Sequence, residues 1–422
     1  MSASVAAKSL ALDRDAAIAQ AVETASTKRE LRVLQVFSVL SVGGAETWLM
    51  ALLKYFNEQA DRLPVKVKCD ILLTGGQASV FDEEAKALGA RLFYVPFSRR
   101  HPVKFLREFR RILGEGNYDV IHDHQDYVAG LHFLMGLGRL PPIRIAHVHS
   151  AFRHRSLYSN DRVRTISMST GKRMLKRLAT NVLGTSRQVI DDYGFQDPEY
   201  RGVCVVNCGF DPGKLSGEYH GAHAKICQQF GWDEAARIIL FVGRLDGDAL
   251  VNGRVVSQKN VEFALEIARD CFARDEMVRL VVAGSGKEDR EQDLRARVNG
   301  WGFEDRVGFL RGPTDVSKLM VGSDVLLFTS PAEGLGMVVV EAQAAGLRVL
   351  ASDTTPRECS VVPDLVKFLS LDLKPSDWAD EVERVLNLSR AESRYCLEAI
   401  RQSPFSIENS AASLLRIYRG DE

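Results

Sequence analysis

Ser330-Pro-Ala-Glu-Gly-Leu-Gly-Met-Val-Val-Val-Glu-Ala-Gln-Ala-Ala-Gly346 is the stretch that decides how the chain is read. The run before it, Ser323-Asp-Val-Leu-Leu-Phe-Thr-Ser330, is apolar enough for a strand buried on both faces of a parallel sheet, and it leaves through hydroxyls. A glycine-punctuated turn follows, and then a strong helix former from Met337 to Ala345. Strand, turn and helix in that order put Glu333 in the crevice at the carboxyl end of a strand, where α/β sheets bind ligands. The first helical turn presents free N–H groups to the same crevice. Glu341, about two turns beyond Glu333, lies on its crevice side. Taken alone, the two acids also fit a helix cap and a satisfied buried carboxylate.

Working outward, 422 residues are too many for one core and suit two domains. A hydrophobic content of 45% with 26% charged residues is that of an ordinary globular chain. No run of 18 apolar residues occurs, so no membrane span is expected. Residues 1–30 carry acids among their alanines and no apolar core, which is not the pattern of a secretory signal. Seven cysteines without a CxxC pair suit free thiols in a reducing cytoplasm better than disulfides or a zinc site. The net charge is zero, yet residues 1–210 hold 29 basic against 21 acidic groups, and the remainder holds 26 against 34. Different partners for the two halves are the physical expectation.

The first half alternates strands and helices: Leu31–Phe37, Val65–Leu73, Arg91–Val95, Tyr118–His124 and Ile143–Ser150 read as strands. A Gly43-Gly44 turn separates the first strand from a helix carrying Leu49, Leu52 and Leu53, and lacks the spacing of a P-loop or of GxGxxG. The helix from Pro102 sets Leu106, Phe109 and Leu113 on one stripe and Lys104, Arg107 and Arg111 on another, with Arg99 and Arg100 just before it. That basic stripe fits either a solvated face or contact with an anionic membrane surface. Two strands finish in His-x-His (His122 and His124, then His147 and His149). Each strand is expected to offer only one of its two imidazoles to the crevice and to direct the other away, so no metal site is expected. Ala151 to Arg177 is strongly basic but lacks the aromatic interleaving of a nucleic-acid module.

In the second half, Ile238-Ile-Leu-Phe-Val-Gly-Arg-Leu245 leads a guanidinium out of a buried strand, and Gln258-Lys-Asn260 opens the next helix. Arg244 and Lys259 together would neutralise one phosphate-sized charge. Asp246–Ser257 between them reads as an inserted loop, and its Asp246-Gly-Asp248 as loop rather than metal ligands.

Glu333-x7-Glu341 followed by Ala-x-Ala-x-Gly346, with Gly243-Arg-Leu245 and Lys259-Asn260, resembles the signature of the retaining nucleotide-sugar glycosyltransferases of family 4. The match extends over most of the chain. It implies an α/β, GT-B architecture: two doubly wound Rossmann-like domains facing across a cleft. Residues 1–30 would be an N-terminal extension. Residues 31–210 plus 404–422 would bind the acceptor, and 211–403 the nucleotide sugar, the C-terminal Ser406–Tyr418 helix crossing back to the first domain. The resemblance implies transfer of a sugar from a nucleotide-diphosphate donor, UDP-sugar favoured, to an acceptor hydroxyl, with no metal and no other cofactor. Exopolysaccharide or lipid-linked glycan assembly at the inner face of a membrane is the implied setting. Its catalytic positions fall on Glu333, Arg244, Lys259, His124 and His149. Donor-binding positions fall on Gly43, Gly44, Gly243, Leu310, Gly334, Leu335, Gly336 and Glu341, with Glu341 on the ribose and Glu333 on the sugar. Departures are Cys208 between Asn207 and Gly209, Leu335 where an aromatic is usual, and Gly346-Leu-Arg-Val349 for Gly-x-Pro-Val. A nucleotide-sugar isomerase of the same fold and a silent binding subunit are the rival readings.

Overall fold

The structure is a computed structural model that describes residues 29–98, 102–151, 162–196, 202–251, 254–311 and 315–421. Arg99, Arg100 and most of the basic loop from 152 to 161 lie outside the described residues, as do residues 1–28.

The first domain holds a parallel sheet of β1 (Glu30–Phe37), β2 (Lys66–Leu73), β3 (Arg91–Tyr94), β4 (Val120–Asp123), β5 (Ile143–Val148), β6 (Asn181–Gly184) and β7 (Val203–Val205), in the order β3-β2-β1-β4-β5-β6-β7. In the second domain, β8 (Arg237–Val242) is followed by an antiparallel pair, β9 (Asp248–Val251) and β10 (Arg254–Ser257). Then come β11 (Val278–Ala283), β12 (Val307–Leu310), β13 (Val325–Phe328), β14 (Arg348–Ser352) and β15 (Val366–Leu369), in a parallel sheet ordered β12-β11-β8-β13-β14-β15. Each order reverses once, between β1 and β4 and between β8 and β13, and each reversal opens a crevice at the strand ends.

Strand alternation explains why both sheets are covered on both faces. Leu31 and Val33 belong to one core cluster and Leu34 and Val36 to the other, while in β8 Ile238 and Leu240 face one cluster and Ile239 and Phe241 the opposite one. The inserted segment corrects the sequence reading: Asp246–Ser257 is a β9–β10 hairpin rather than a loop, closed at its base by Gln258 N–H donating to the Gly247 carbonyl. Val251 and Val255 supply the β-branched residues a short ladder favours.

The chain crosses between the domains twice, side by side. Phe210 N–H donates to the Phe405 carbonyl at 3.0 Å, and Ile407 N–H to the Phe210 carbonyl at 2.9 Å. The Ser393–Gln402 helix packs on Met337–Ala344, whereas Ile407–Arg419 packs on the Gly44–Glu58 helix of the first domain. The basic stripe on Pro102–Gly116 is partly neutralised: Arg107 and Arg111 both reach Glu108, and Arg111 also reaches Glu115. Among the described residues, no helix is long and apolar enough to cross a membrane.

Candidate active site

Glu333 and Lys259 meet at the β8/β13 reversal, with Lys259 Nζ 2.5 Å from Glu333 Oε1. The backbone aims that lysine. Asn260 adopts a left-handed φ of 54°, and Thr329, just past β13, donates its hydroxyl to the Asn260 carbonyl at 2.9 Å. Such a non-glycine conformation persists only where its surroundings hold it. The Lys259 stem lies against Gly243, where a Cβ would come within 3.0 Å of Lys259 Cγ. Because the hairpin closes at its base, the insertion leaves Gly243, next to Arg244 in the chain, against Lys259. Arg244 is exposed, and among the described residues it forms no ion pair. Its charge reaches Glu46 of the first domain, opposing the burial that raises that carboxyl.

Hydroxyl groups build the exit from β13. The Ser330 carbonyl accepts from Ser352 Oγ at 2.5 Å and from Thr354 Oγ1 at 3.0 Å. Gly336, at φ 91°, turns the chain into the Met337–Ala344 helix, a conformation that favours glycine. Glu341 on that helix is pushed up to about 7 by burial, with Lys214 the opposing charge. Leu335 is 4% exposed and packs in the second domain's core. Leu310 ends the edge strand β12, and its carbonyl accepts from Gly284 N–H at 3.1 Å, one loop away from Gly243.

Opposite stands the first domain. The Gly43-Gly44 turn opens the Gly44–Glu58 helix, and the Glu46 carboxylate folds back over Gly43. His124 and His149 face each other, Nδ1 to Nε2, at 2.9 Å. His122 and His147 do not point away. His122 stacks on His147 with centroids 5.4 Å apart and lies 4.0 Å from His124, and Trp48 lies edge-on beside the group. Strand geometry gives the reason: residues i and i+2 share a face, so all four rings line one side of the sheet. Burial holds all four below the usual histidine range, His149 at about 4. His122, His124 and His147 bring ligand atoms within 4.8 Å of one another, yet each of their six ring nitrogens has a hydrogen-bond partner.

The two walls touch at Gly334. Ser186 Oγ donates to its carbonyl at 2.6 Å, and a Cβ at 334 would fall 1.9 Å from the His149 carbonyl oxygen. The Arg187 N–H donates to Glu358 Oε1 at 2.7 Å beside this contact. A circuit of neighbours thus runs around the cleft: Gly43, Glu46, Arg244, Gly243, Lys259, Glu333, Gly334, His149 and His124. Sequence reasoning missed Glu46, Gln35, Trp48, Ser186 and Tyr418 as parts of this site. Gln35 had a readable signal, an amide inside the apolar run from Val33 to Phe37.

Two facing, parallel, doubly wound sheets with these reversals define a GT-B fold. The chain belongs to the glycosyltransferases of this architecture: residues 42–214 match the family model Glycosyltransferase Family 4, and residues 223–402 match Glycosyl transferases group 1. Among curated relatives it is 29% identical over 402 residues to the putative glycosyltransferase EpsF of Bacillus subtilis (strain 168), covering 92% of this chain and 96% of that one. It is 26% identical over 319 residues to D-inositol 3-phosphate glycosyltransferase of Nocardia farcinica, covering 72% of this chain and 66% of that one. Among solved structures, Anabaena HepE in complex with UDP superposes with a TM-score of 0.71 at 16% identity, over 93% of this chain and 100% of that one.

Proposed function

We propose that this protein is a retaining glycosyltransferase that moves a sugar from a UDP-sugar to an acceptor hydroxyl in polysaccharide or lipid-linked glycan assembly. The observation that carries the reading is the Lys259–Glu333 pair at the β8/β13 reversal, with Arg244 beside it and His124 and His149 across the cleft. In this reading Arg244 and Lys259 stabilise the diphosphate as it leaves, the step at which negative charge develops most. Glu341 takes the ribose hydroxyls, and Glu333 a hydroxyl of the sugar once the diphosphate draws Lys259 away. Backbone N–H groups at Gly334 to Gly336 position that sugar. The two cations supply the charge that a divalent metal supplies elsewhere, so transfer is expected to survive chelation.

Glu333 is committed to a sugar hydroxyl in this reading, so no carboxylate nucleophile is invoked. The acceptor oxygen therefore attacks from the leaving-group face as the anomeric C–O bond breaks, and the departing phosphate oxygen takes the acceptor proton. Closure at Gly334 keeps water from competing. A UDP-bound HepE supports the choice of base by structural likeness. The positive excess of the first half favours an anionic or lipid-diphosphate acceptor at a cytoplasmic membrane face.

The test is a thermal-shift series with UDP, GDP, ADP and TDP on wild type, Arg244→Ala and Glu341→Ala. Saturating UDP at a hundredfold excess over Kd should stabilise wild type by about 2.7 kcal/mol. Neither variant should respond as strongly. Anomeric configuration of the product, read by NMR, then decides retention, and no shift with any nucleotide overturns the reading.

A further inference from the structure

The four imidazoles belong to a longer chain of hydrogen bonds whose direction can be deduced. Its inner end is the Val206 carbonyl, 3.2 Å from His147 Nε2. A carbonyl only accepts, so His147 carries its proton on Nε2. Burial keeps the ring neutral, which leaves Nδ1 bare. His147 Nδ1 is 3.2 Å from His122 Nε2, so His122 must donate there and its own Nδ1 is bare in turn. That nitrogen, 2.8 Å from the Tyr418 hydroxyl, takes the phenolic proton. The Tyr418 oxygen then accepts from Gln35 Nε2 at 2.9 Å, and Gln35 Oε1 accepts from His124 Nε2 at 2.9 Å. His124 Nδ1 receives the Nε2 proton of His149. His149 Nδ1, the last acceptor, is 3.9 Å from Cys208 Sγ, and the His149 backbone N–H is held by Asp126 Oδ1.

Every link obeys the same polarity. Reversing the amide of Gln35 would reverse the inner half and set a bare His147 Nε2 against the Val206 carbonyl, lone pair to lone pair. Only one direction satisfies every member, and an unsatisfied buried polar group costs about 1–3 kcal/mol. The position of Gln35 follows from register: it pairs with His122 across β1 and β4 and shares the sheet face that the C-terminal helix covers.

We propose that Gln35 and the C-terminal Tyr418 are positioning residues for the transfer site: they impose a one-way hydrogen-bond chain that locks His122, His124, His147 and His149 as Nε2–H tautomers. The consequence for the cleft is specific. His149, partly exposed beside Gly334, stays uncharged, with Nδ1 an acceptor 3.9 Å from Cys208 Sγ, and has no N–H to give a ligand, because that proton belongs to His124. A donor-sugar hydroxyl there must donate. The C-terminal helix therefore reaches the chemistry through Tyr418, although it lies outside both strand reversals.

This inference rests on the glycosyltransferase reading for its kinetic arm but not for its spectroscopic one. With histidine-selective 15N labelling, the ligand-free protein at pH 7 should give four rings with protonated Nε2 and bare Nδ1. Any of the four as the Nδ1–H tautomer or as imidazolium overturns the proposal. Tyr418→Phe removes the donor to His122 Nδ1, and Gln35→Glu replaces the two-way amide by an acceptor-only group of nearly the same shape. Both should move the nitrogen signals of His122 and His147, and with a UDP-sugar donor kcat should fall about tenfold while UDP affinity stays unchanged. If the tautomers are as stated but no transfer is detected from any donor, the functional reading fails and the chain stands. Unchanged signals in Gln35→Glu, with the fold intact, would sink the positioning role.

Discussion

The two walls of the cleft hold their polar groups in opposite ways. On the second domain the groups are charged, near solvent and lightly tethered: Arg244 is exposed, and Lys259 is held by one carboxylate that a ligand can displace. On the first domain they are neutral and bonded to one another, with His122, His124 and His147 buried, His149 partly exposed, and Gln35 and Tyr418 behind them. Charge that must respond to a departing diphosphate needs freedom and access, whereas groups that orient a hydroxyl need rigidity. Substitutions on the two walls should therefore fail differently, one in rate and the other also in stability.

Arg244→Ala tests the charged wall and should have the largest effect. Losing one preorganised group that stabilises the leaving charge should lower transfer by about 10²–10³-fold. An exposed arginine with no ion pair among the described residues should leave stability within about 0.5 kcal/mol of wild type. Steady-state kinetics beside a melting curve reads both, and a large loss of stability would break the contrast.

Gly334→Ala tests the contact between the walls. The new Cβ would lie 1.9 Å from the His149 carbonyl oxygen, so the Glu333 loop must shift away from the imidazoles. A displacement of about 1 Å in a catalytic group costs about a hundredfold in rate. UDP binding, carried in this reading mainly by Arg244, Lys259 and Glu341 of the second domain, should persist. Equal loss of binding and rate would mean that closure is not what Gly334 serves.

Glu341 brings pH into the comparison. Burial raises its carboxyl from 4.5 to about 7. Between those values the folded chain binds more protons than the unfolded one, so this group's contribution to stability declines as pH rises through that window. In the proposed reading ribose hydroxyls donate to the ionised form of Glu341, so UDP binding should release a proton, and affinity should increase as pH rises through about 7. Glu341→Gln should weaken UDP about tenfold, in line with one charge-assisted hydrogen bond, and flatten the pH dependence. Calorimetry in two buffers of different ionisation enthalpy measures the proton count.

The second wall was the more legible in sequence. Its groups sit on strand exits and glycine turns, so local pattern together with the family resemblance pointed to Arg244, Lys259, Glu333 and Glu341, of which the structure pairs Lys259 with Glu333. The hairpin was misread because two four-residue strands are too short to reveal a periodicity. The first wall was read only in part. Gln35, His122 and Tyr418 become neighbours through sheet register and a helix that returns 383 residues after Gln35, and no window of sequence contains that contact. The four-ring cluster was within reach, because period-two alternation puts His122 with His124 and His147 with His149.

Ser410 offers the gentlest test of the contrast, on the neutral wall and away from any ligand. Its hydroxyl accepts from Trp48 Nε1 at 3.0 Å and donates to the Asn207 carbonyl at 2.7 Å, tying the C-terminal helix to the indole that borders the imidazoles. Ser410→Ala removes both bonds and leaves two buried polar groups unpaired, at a cost of about 1–3 kcal/mol. Each kcal/mol lowers Tm by about 2–4 °C for a domain of this size. The rings keep their own chain of bonds, so kcat at a temperature well below the transition should change by less than about threefold. A lower Tm with near-normal kcat would mean that this wall carries stability and orientation through separable contacts. A fall in kcat as deep as that of Tyr418→Phe would mean instead that Trp48, and not the chain through Tyr418, holds the imidazoles in place.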